Sequence, residues 1–278
     1  MDTPTSPLPN KPHEPAFPLP WLIVVLAAAA LLAFLIATPG GLLTKADMIG
    51  YAVCHRLEAH SFTIAGRQLP LCARCTGTFI GALIGLFGQA VALRRRRAAE
   101  FPPPLITVIL AGFILLWAAD GLNSYLALIN GPHLYEPQNW LRLTTGALNG
   151  LTMSALVYPV FNFTLWRQPS PQRAIRNLRD LGVLLLLEGG MVGLVLTRWS
   201  FLLYPLALLS ALGVLALLTG VNSMLVVMIV QRENVVDTWR AGLVPLLAGF
   251  TVSLIQVGVI DVVRYALTGT LSGIPPLR

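Results

Sequence analysis

The sequence predicts an all-α polytopic membrane protein: a bundle of about seven transmembrane helices with one exoplasmic cysteine-rich loop. Three observations carry this. Of 278 residues, 55% are hydrophobic and only 11% charged, where a soluble domain carries about a quarter charged residues. Apolar runs near the roughly 20 residues needed to cross a bilayer recur along the chain. The charges gather at the ends of those runs rather than along them. A mean hydropathy of +0.72 leaves too little polar surface for a water-facing globule. A soluble domain, a disordered chain and a disulfide-dense miniature are all excluded.

Residues 1–20 hold Pro4, Pro7, Pro9, Pro12, Pro15, Pro18 and Pro20, a spacing that blocks helix and favours an extended, disordered cytoplasmic arm. The run 21–37 lacks a basic flank and a small-x-small cleavage site, so it reads as a retained first helix. Thr38-Pro39-Gly40-Gly41 ends it. Further runs follow at 75–93, 101–119 (continuing past Asp120 to about Ile129), 143–166, 181–197, 199–231 and 241–267. The long 199–231 run tilts, protrudes or bends near Gly213 or Gly220. The spans group into a motif-bearing part, 21–166, with the cysteine-rich loop at 38–74, and a plainer three-span part, 181–278. An Arg/Pro linker, 167–180, joins them. Gly77, Gly81 and Gly85, and Gly146 and Gly150, recur every four residues and mark faces where helix backbones approach closely.

The net charge of +7 is mostly arginine, since Lys11 and Lys45 are the only lysines. Arginines at the ends of apolar runs are explained by cytoplasmic loops and phospholipid headgroups, so the lipid bilayer is the expected partner and nucleic acid is not. Arg94-Arg95-Arg96-Arg97 directly after the second span is placed in the cytoplasm, with the loop at the membrane's outer face. Alternation puts Arg167, Arg173, Arg176, Arg179, Arg232 and Arg240 on the same side. The amino terminus is then inside and the carboxyl terminus outside. The loop 38–74 lies outside although it carries Lys45, Arg56, Arg67 and Arg74, a local breach of the positive-inside rule.

All three cysteines, Cys54, Cys72 and Cys75, lie in or beside this loop with His55 and His60. A Cys-x-x-Cys segment presents two thiolates to one tetrahedral ion, and Cys54 with His55 completes a Cys3His set of the kind that favours zinc. His60 or His133 are alternative nitrogen ligands. The same atoms support a Cys72–Cys75 disulfide exchanging with Cys54, with Arg74 favouring the thiolate, which would be a thiol–disulfide oxidoreductase. A structural clip with one buried cysteine left over is the third reading. No Cys-x-x-Cys-His run supports haem, and no phosphate-binding or dinucleotide glycine loop supports a nucleotide.

Cys54-His55, the run Gly66-Arg67-Gln68-Leu69-Pro70-Leu71-Cys72-Ala73-Arg74-Cys75-Thr76-Gly77, Asp120-Gly121, Asn139-Trp140-Leu141-Arg142 and Thr145-Gly146 together resemble a domain-of-unknown-function family of prokaryotic integral membrane proteins. The resemblance covers about Gly50 to Gly150. It implies a membrane protein with a Cys-rich loop and supplies no reaction, cofactor or catalytic residue, so whether the chain is an enzyme stays open.

Depth along the helices follows from the 1.5 Å rise per residue. Asp120 sits about 24 Å from Pro104, near the outer side, and Asn123 nearly one turn further. Cys54, His55, Cys72, Cys75, Asp120, Asn123 and Arg142 therefore share one level, and Arg56, Arg67 and Arg74 border it. Ionisable groups in lipid are costly, so each is a candidate. Asp120 is a candidate acceptor for a ligating histidine, a proton carrier, or the partner of Arg142 or of a helix end, and Asp261 is expected to pair with Arg264 at i,i+3. Glu188 is expected to be protonated, or bonded to Asn222 or Gln256. The outer-face arginines could instead hold a phosphorylated lipid, and Glu188 could serve a small-solute transporter.

Overall fold

The computed structural model describes residues 19–38 and 40–271. The proline-rich arm, except Leu19 and Pro20, lies outside the described residues, as do Pro39 and the carboxyl-terminal residues 272–278. Eight α-helices occur among the described residues: α1 (Pro20–Ala37), α2 (Leu42–Val53), α3 (Ala73–Phe87), α4 (Pro104–Leu128), α5 (Asn139–Leu165), α6 (Leu178–Thr197), α7 (Leu203–Ile229) and α8 (Trp239–Thr268). Two short sheets join them: β1 (Ser61–Ile64) with β2 (Arg67–Cys72), and β3 (Ala98–Glu100) with β4 (Ser170–Arg173). A π-helical turn over Gly88–Ala92 extends α3.

Six helices are both long and apolar enough to cross a bilayer: α1, α3 with its extension, α4, α6, α7 with the turn before it, and α8. The seventh expected span, α5, has the length at 27 residues but is more polar. The reason is its position. Sixteen of its 27 residues are buried, whereas Ala27 alone is buried in α1. A helix covered by protein on most sides needs no lipid-facing apolarity. α7 runs unbroken past Gly213 and Gly220, and a short 3₁₀ turn over Ser200–Leu202 takes up the excess length.

The α3–α5 contact is built on glycine. A Cβ on Gly77 would strike the Leu143 carbonyl, one on Gly146 the Arg74 carbonyl, and one on Gly150 the Thr78 carbonyl. On Gly85 it would meet the Ser154 hydroxyl. The first three are backbone-on-backbone approaches that only glycine permits.

Helix starts follow local chemistry. Pro103 and Pro104 open α4, where a missing N–H is harmless. The Asn177 side chain accepts from the N–H groups of Arg179 and Asp180, both at 3.0 Å, to cap α6. Thr238 accepts from Ala241 N–H at 3.3 Å to cap α8.

The basic loops assemble at one end. β3 pairs in parallel with β4, the Arg167 N–H donates to the Val236 carbonyl at 3.0 Å, and the Asn234 N–H to the Thr164 carbonyl at 2.9 Å. Arg97 lies over the Trp166 ring at 4.2 Å. The segments holding Arg94–Arg97, Arg167–Arg179 and Arg232 thus share one face of the bundle.

At the opposite end, the segment read as a loop contains regular structure. α2 has 12 residues, too few to cross, and buries Leu43, Ala46, Ile49 and Gly50 at helical spacing. The β1–β2 hairpin turns through Ala65 (φ 49°) and Gly66 (φ 74°), the two positive φ values that a two-residue hairpin turn demands. Phe62, Ile64 and Leu69 from this hairpin join Ile80, Leu143 and Ala147 in one core, so the cap is packed onto α3 and α5.

Gly77→Leu should therefore lower the stability of detergent-solubilised protein by about 3 kcal/mol or more, seen as a large drop in melting midpoint. Gly189→Ala, in α6 with open space around its Cα, should be neutral or gain up to about 1 kcal/mol from helix propensity.

Candidate functional site

Two turns of chain bring the cysteines together. Cys54 ends α2 in extended conformation, its N–H still donating to the Gly50 carbonyl at 2.9 Å. Cys72 ends β2 and begins α3, and Cys75 lies in the first turn of α3. The Cys54 Sγ accepts the Cys72 N–H at 3.2 Å and the Arg56 N–H at 3.4 Å. The thiols of Cys72 and Cys75 lie close enough to Cys54 to influence its charge. All three thiols are free, with Cys54 and Cys72 buried. The ligand atoms of Cys54, His55 and Cys72 lie within 4.8 Å of one another, close enough to bind a metal ion.

Charge within the group is unevenly shared. The hydrogen bond from the Cys72 side chain, then that from Cys75, pulls the Cys54 thiol far below the ordinary cysteine value. Cys72, which shares its proton with Cys54, is pushed up to about 12. The N-terminus of α3 lies beside them, where the helix dipole favours a thiolate. Burial lowers His55 and takes His60 down to about 4, so both imidazoles are neutral near pH 7 and keep a lone pair. The His55 Nδ1 accepts the Leu57 N–H at 3.1 Å, so the lone pair is on Nδ1 and a bound ion would take the place of that N–H. The His60 ring stands edge-on to His55 at 5.4 Å. His133 is spent elsewhere: Nδ1 is 3.0 Å from the Gly131 carbonyl and Nε2 3.2 Å from Glu136.

The arginines do not stand free as a phosphate site would require. Arg56 and Arg67 both bind Asp47 of α2, at 2.9 and 2.8 Å. Sequence reading missed Asp47, although an acid in a segment with four basic residues was a visible signal. Arg74 binds Asp120, with Nη2 at 2.5 Å and Nε at 3.2 Å from Oδ2. This corrects two expectations. Arg74 does not point at the thiols, and Arg142 does not hold Asp120. Arg142 instead donates to Ser124 Oγ at 3.3 Å and Asn139 Oδ1 at 2.8 Å. The cause is the close α3–α5 approach, which leaves α4 as the neighbour that the Arg74 side chain can reach.

Asp120 also accepts from the Tyr135 hydroxyl at 2.9 Å and the Thr145 hydroxyl at 3.3 Å. Asn123 delivers Tyr135. Its Oδ1 accepts the N–H groups of Leu134 and Tyr135 at 2.7 and 3.3 Å, and its Nδ2 donates to the Tyr135 carbonyl at 2.8 Å. Ser124 and Tyr135, which no motif singled out, thus complete the network.

The intramembrane groups depart further from expectation. Arg264 does not pair with Asp261. Its Nη1 donates to the Cys54 carbonyl at 2.8 Å and also to the Tyr51 carbonyl, and its guanidinium lies 4.0 Å over the Tyr51 ring. Those carbonyls are left open by the end of α2, and a cation at a helix C-terminus satisfies them. Glu188 is not bonded to Asn222 or Gln256. Asn222 donates to Ser253 at 2.9 Å and to Gln256 at 3.2 Å, whereas both Glu188 oxygens are buried without a hydrogen-bond partner among the described residues.

With this geometry in place, comparison adds a family. Residues 54–156 match the family described as "Predicted membrane protein (DUF2085)". An uncharacterised protein of Methanocaldococcus jannaschii is 28% identical over 109 residues, 39% of this chain and 64% of the relative. An uncharacterised protein of Methanothermobacter thermautotrophicus is 30% identical over 104 residues, 37% of this chain and 83% of the relative. The chain belongs to this family. No solved structure matches. The DUF2085 match begins at Cys54 and takes in His55, Cys72, Arg74, Cys75, Asp120 and Arg142. Asp47, Glu188, Asp261 and Arg264 lie beyond it.

Asp120→Asn leaves the Arg74 guanidinium without its counter-charge against a carboxylate position only 2% exposed. Breaking such a pair should cost about 3–5 kcal/mol, read as a fall in melting midpoint. Asp47→Asn should cost less, about 1–3 kcal/mol, because Arg67 is 41% exposed, although Arg56, at 10%, loses the same counter-charge.

Proposed function

We propose that this membrane protein carries a tetrahedral metal site, of the zinc type, made by Cys54, His55, Cys72 and Cys75. The observation that supports it most is the convergence of Cys54, Cys72 and His55 ligand atoms to within 4.8 Å. Sulfurs around one zinc stand about 3.8 Å apart for Zn–S bonds of about 2.3 Å, so little contraction is required. Thiolate and neutral imidazole are the donors zinc prefers. The Cys54 thiol is already held low, and His55 is neutral near pH 7. Arg74, Arg142 and Arg264 are near enough to depress His55 further, and their positive field suits a centre with three thiolates and a net negative charge.

In this reading the ion ties the end of α2 to the start of α3 and locks the cap of α2 and the hairpin onto the bundle. The remaining polar residues support it from outside. Arg56, Arg67 and Asp47 brace the chain after Cys54, and Arg74, Asp120, Asn123 and Arg142 fix the start of α3 against α4 and α5. We place the basic end in the cytoplasm, following the positive-inside rule, and the metal group at the exoplasmic face of a prokaryotic plasma membrane.

One observation favours a second reading, thiol–disulfide exchange. A thiol held low, with two more in contact, is a competent nucleophile. Alkylation trapping in cells decides between them, since exchange requires Cys72 and Cys75 to alternate between oxidised and reduced forms.

Full-length protein purified without chelator should contain close to one zinc per chain by elemental analysis. Cys54→Ser and Cys72→Ser should lose it and melt lower, and His55→Ala should bind more weakly. Affinity should fall as pH drops, because binding expels protons from the thiols. Metal-free protein whose Cys72→Ser variant melts like the wild type would end the proposal.

A further inference from the structure

A cavity of about 460 Å³ lies between α1 and α8, with Met48 of α2 at its margin. Its walls are almost wholly apolar. Small residues, Ala33 and Ala37 on α1 and Gly258 on α8, give it width, and a Cβ on Gly258 would meet nothing within 4 Å. One acid lines it, Asp261, whose Oδ1 is buried without a hydrogen-bond partner among the described residues. The nearby cations make their hydrogen bonds to backbone carbonyls and none to Asp261 among the described residues. Arg264, one turn on, is bonded to the carbonyls of Cys54 and Tyr51. Lys45 Nζ donates to the carbonyls of Leu35 and Thr38 at 2.8 and 2.6 Å.

The vertical order of the lining has chemical meaning. Asp261 is 22 residues, about 33 Å, along α8 from its start at the basic end. It therefore stands near the bilayer boundary at the cysteine end. Leu254 and Gly258 line the slot below it, reaching about 10 Å deeper into the hydrocarbon. A carboxylate at the boundary above an apolar slot is complementary to an amphiphile with a cationic head and a hydrocarbon tail. A half-buried acid with one oxygen buried and unbonded among the described residues is unfavourable in lipid, and an ammonium group would supply the missing donor and a charge-assisted hydrogen bond.

We propose that the α1–α8 cavity binds a membrane-borne amphiphile with a single cationic amine head, its nitrogen on Asp261 and its chain along Gly258 and Leu254. This site is independent of the metal reading.

The test uses full-length protein in maltoside micelles, titrated with dodecylamine or with the neutral dodecanol, following the melting midpoint at pH 7. Dodecylamine should stabilise saturably, with half-effect at a mole fraction at least tenfold lower than dodecanol. Asp261→Asn should bring the two within twofold of each other, and Gly258→Leu, which fills the slot, should weaken both. Equal half-effects in the wild type would show a slot filled by any hydrocarbon chain, no saturable shift with either would show a slot that binds neither, and each result would overturn the proposal. So would a preference for the amine that survives Asp261→Asn. The wild-type comparison stands whether or not either variant folds.

Discussion

The backbone contact between α3 and α5 is the constraint from which the cysteine end is built. Gly77 and Gly81 on one helix and Gly146 and Gly150 on the other bring carbonyls to where side chains would otherwise lie. Because the Arg74 carbonyl rests on Gly146, the first turn of α3 is pinned, and with it Cys72 and Cys75. The Arg74 side chain is directed to Asp120 on α4. β2 runs straight into α3, so the hairpin inherits the same reference frame and carries Gln68 to the Arg56 carbonyl at 3.0 Å and to the Ser61 hydroxyl at 2.8 Å. A bulkier residue at any of these glycines would loosen the helix pair and the thiol group together.

A second consequence is the polarity of α5. Lipid selects apolar surface only where a helix meets lipid. α5 lies inside, so Arg142, Thr145 and Asn149 are tolerated on it. Among the described residues, four of the six apolar helices, α3, α4, α6 and α7, pack around α5, a seventh element that does not need to be as apolar.

Depth was legible in the sequence and direction around each helix was not. The rise per residue placed the cysteines, Asp120, Asn123 and Arg142 at one level. The structure gathers Cys54, His55 and Cys72 in one group and ties Asp120, Asn123 and Arg142 into a separate network through Arg74, Ser124 and Tyr135. Which of two arginines takes Asp120 depends on the angle at which α3 crosses α5, and periodicity carries no information about that. Asp261 and Arg264 have the spacing of a helical pair, yet the open carbonyls at the end of α2 offer the guanidinium better acceptors. α2 itself escaped notice because 12 residues are short and its polar face carries Lys45 and Asp47 among loop-like neighbours. The Ala65-Gly66 turn between two apolar segments was a readable hairpin signal that the cysteine pattern overshadowed. Sequence offered Asn222 or Gln256 to Glu188, but these bond to each other across α7 and α8, and both Glu188 oxygens are left without a hydrogen-bond partner among the described residues.

The thiol group draws on both parts of the chain. The family-matched region supplies Cys54, His55, Cys72 and Cys75, and α8, outside it, grips the Cys54 carbonyl through Arg264. The most direct measurement of the central claim is X-ray absorption at the metal edge of the protein as purified. The account predicts a first shell of three sulfurs at about 2.3 Å and one nitrogen at about 2.0–2.1 Å. A shell of oxygen and nitrogen alone, or no metal signal from folded protein, would contradict it.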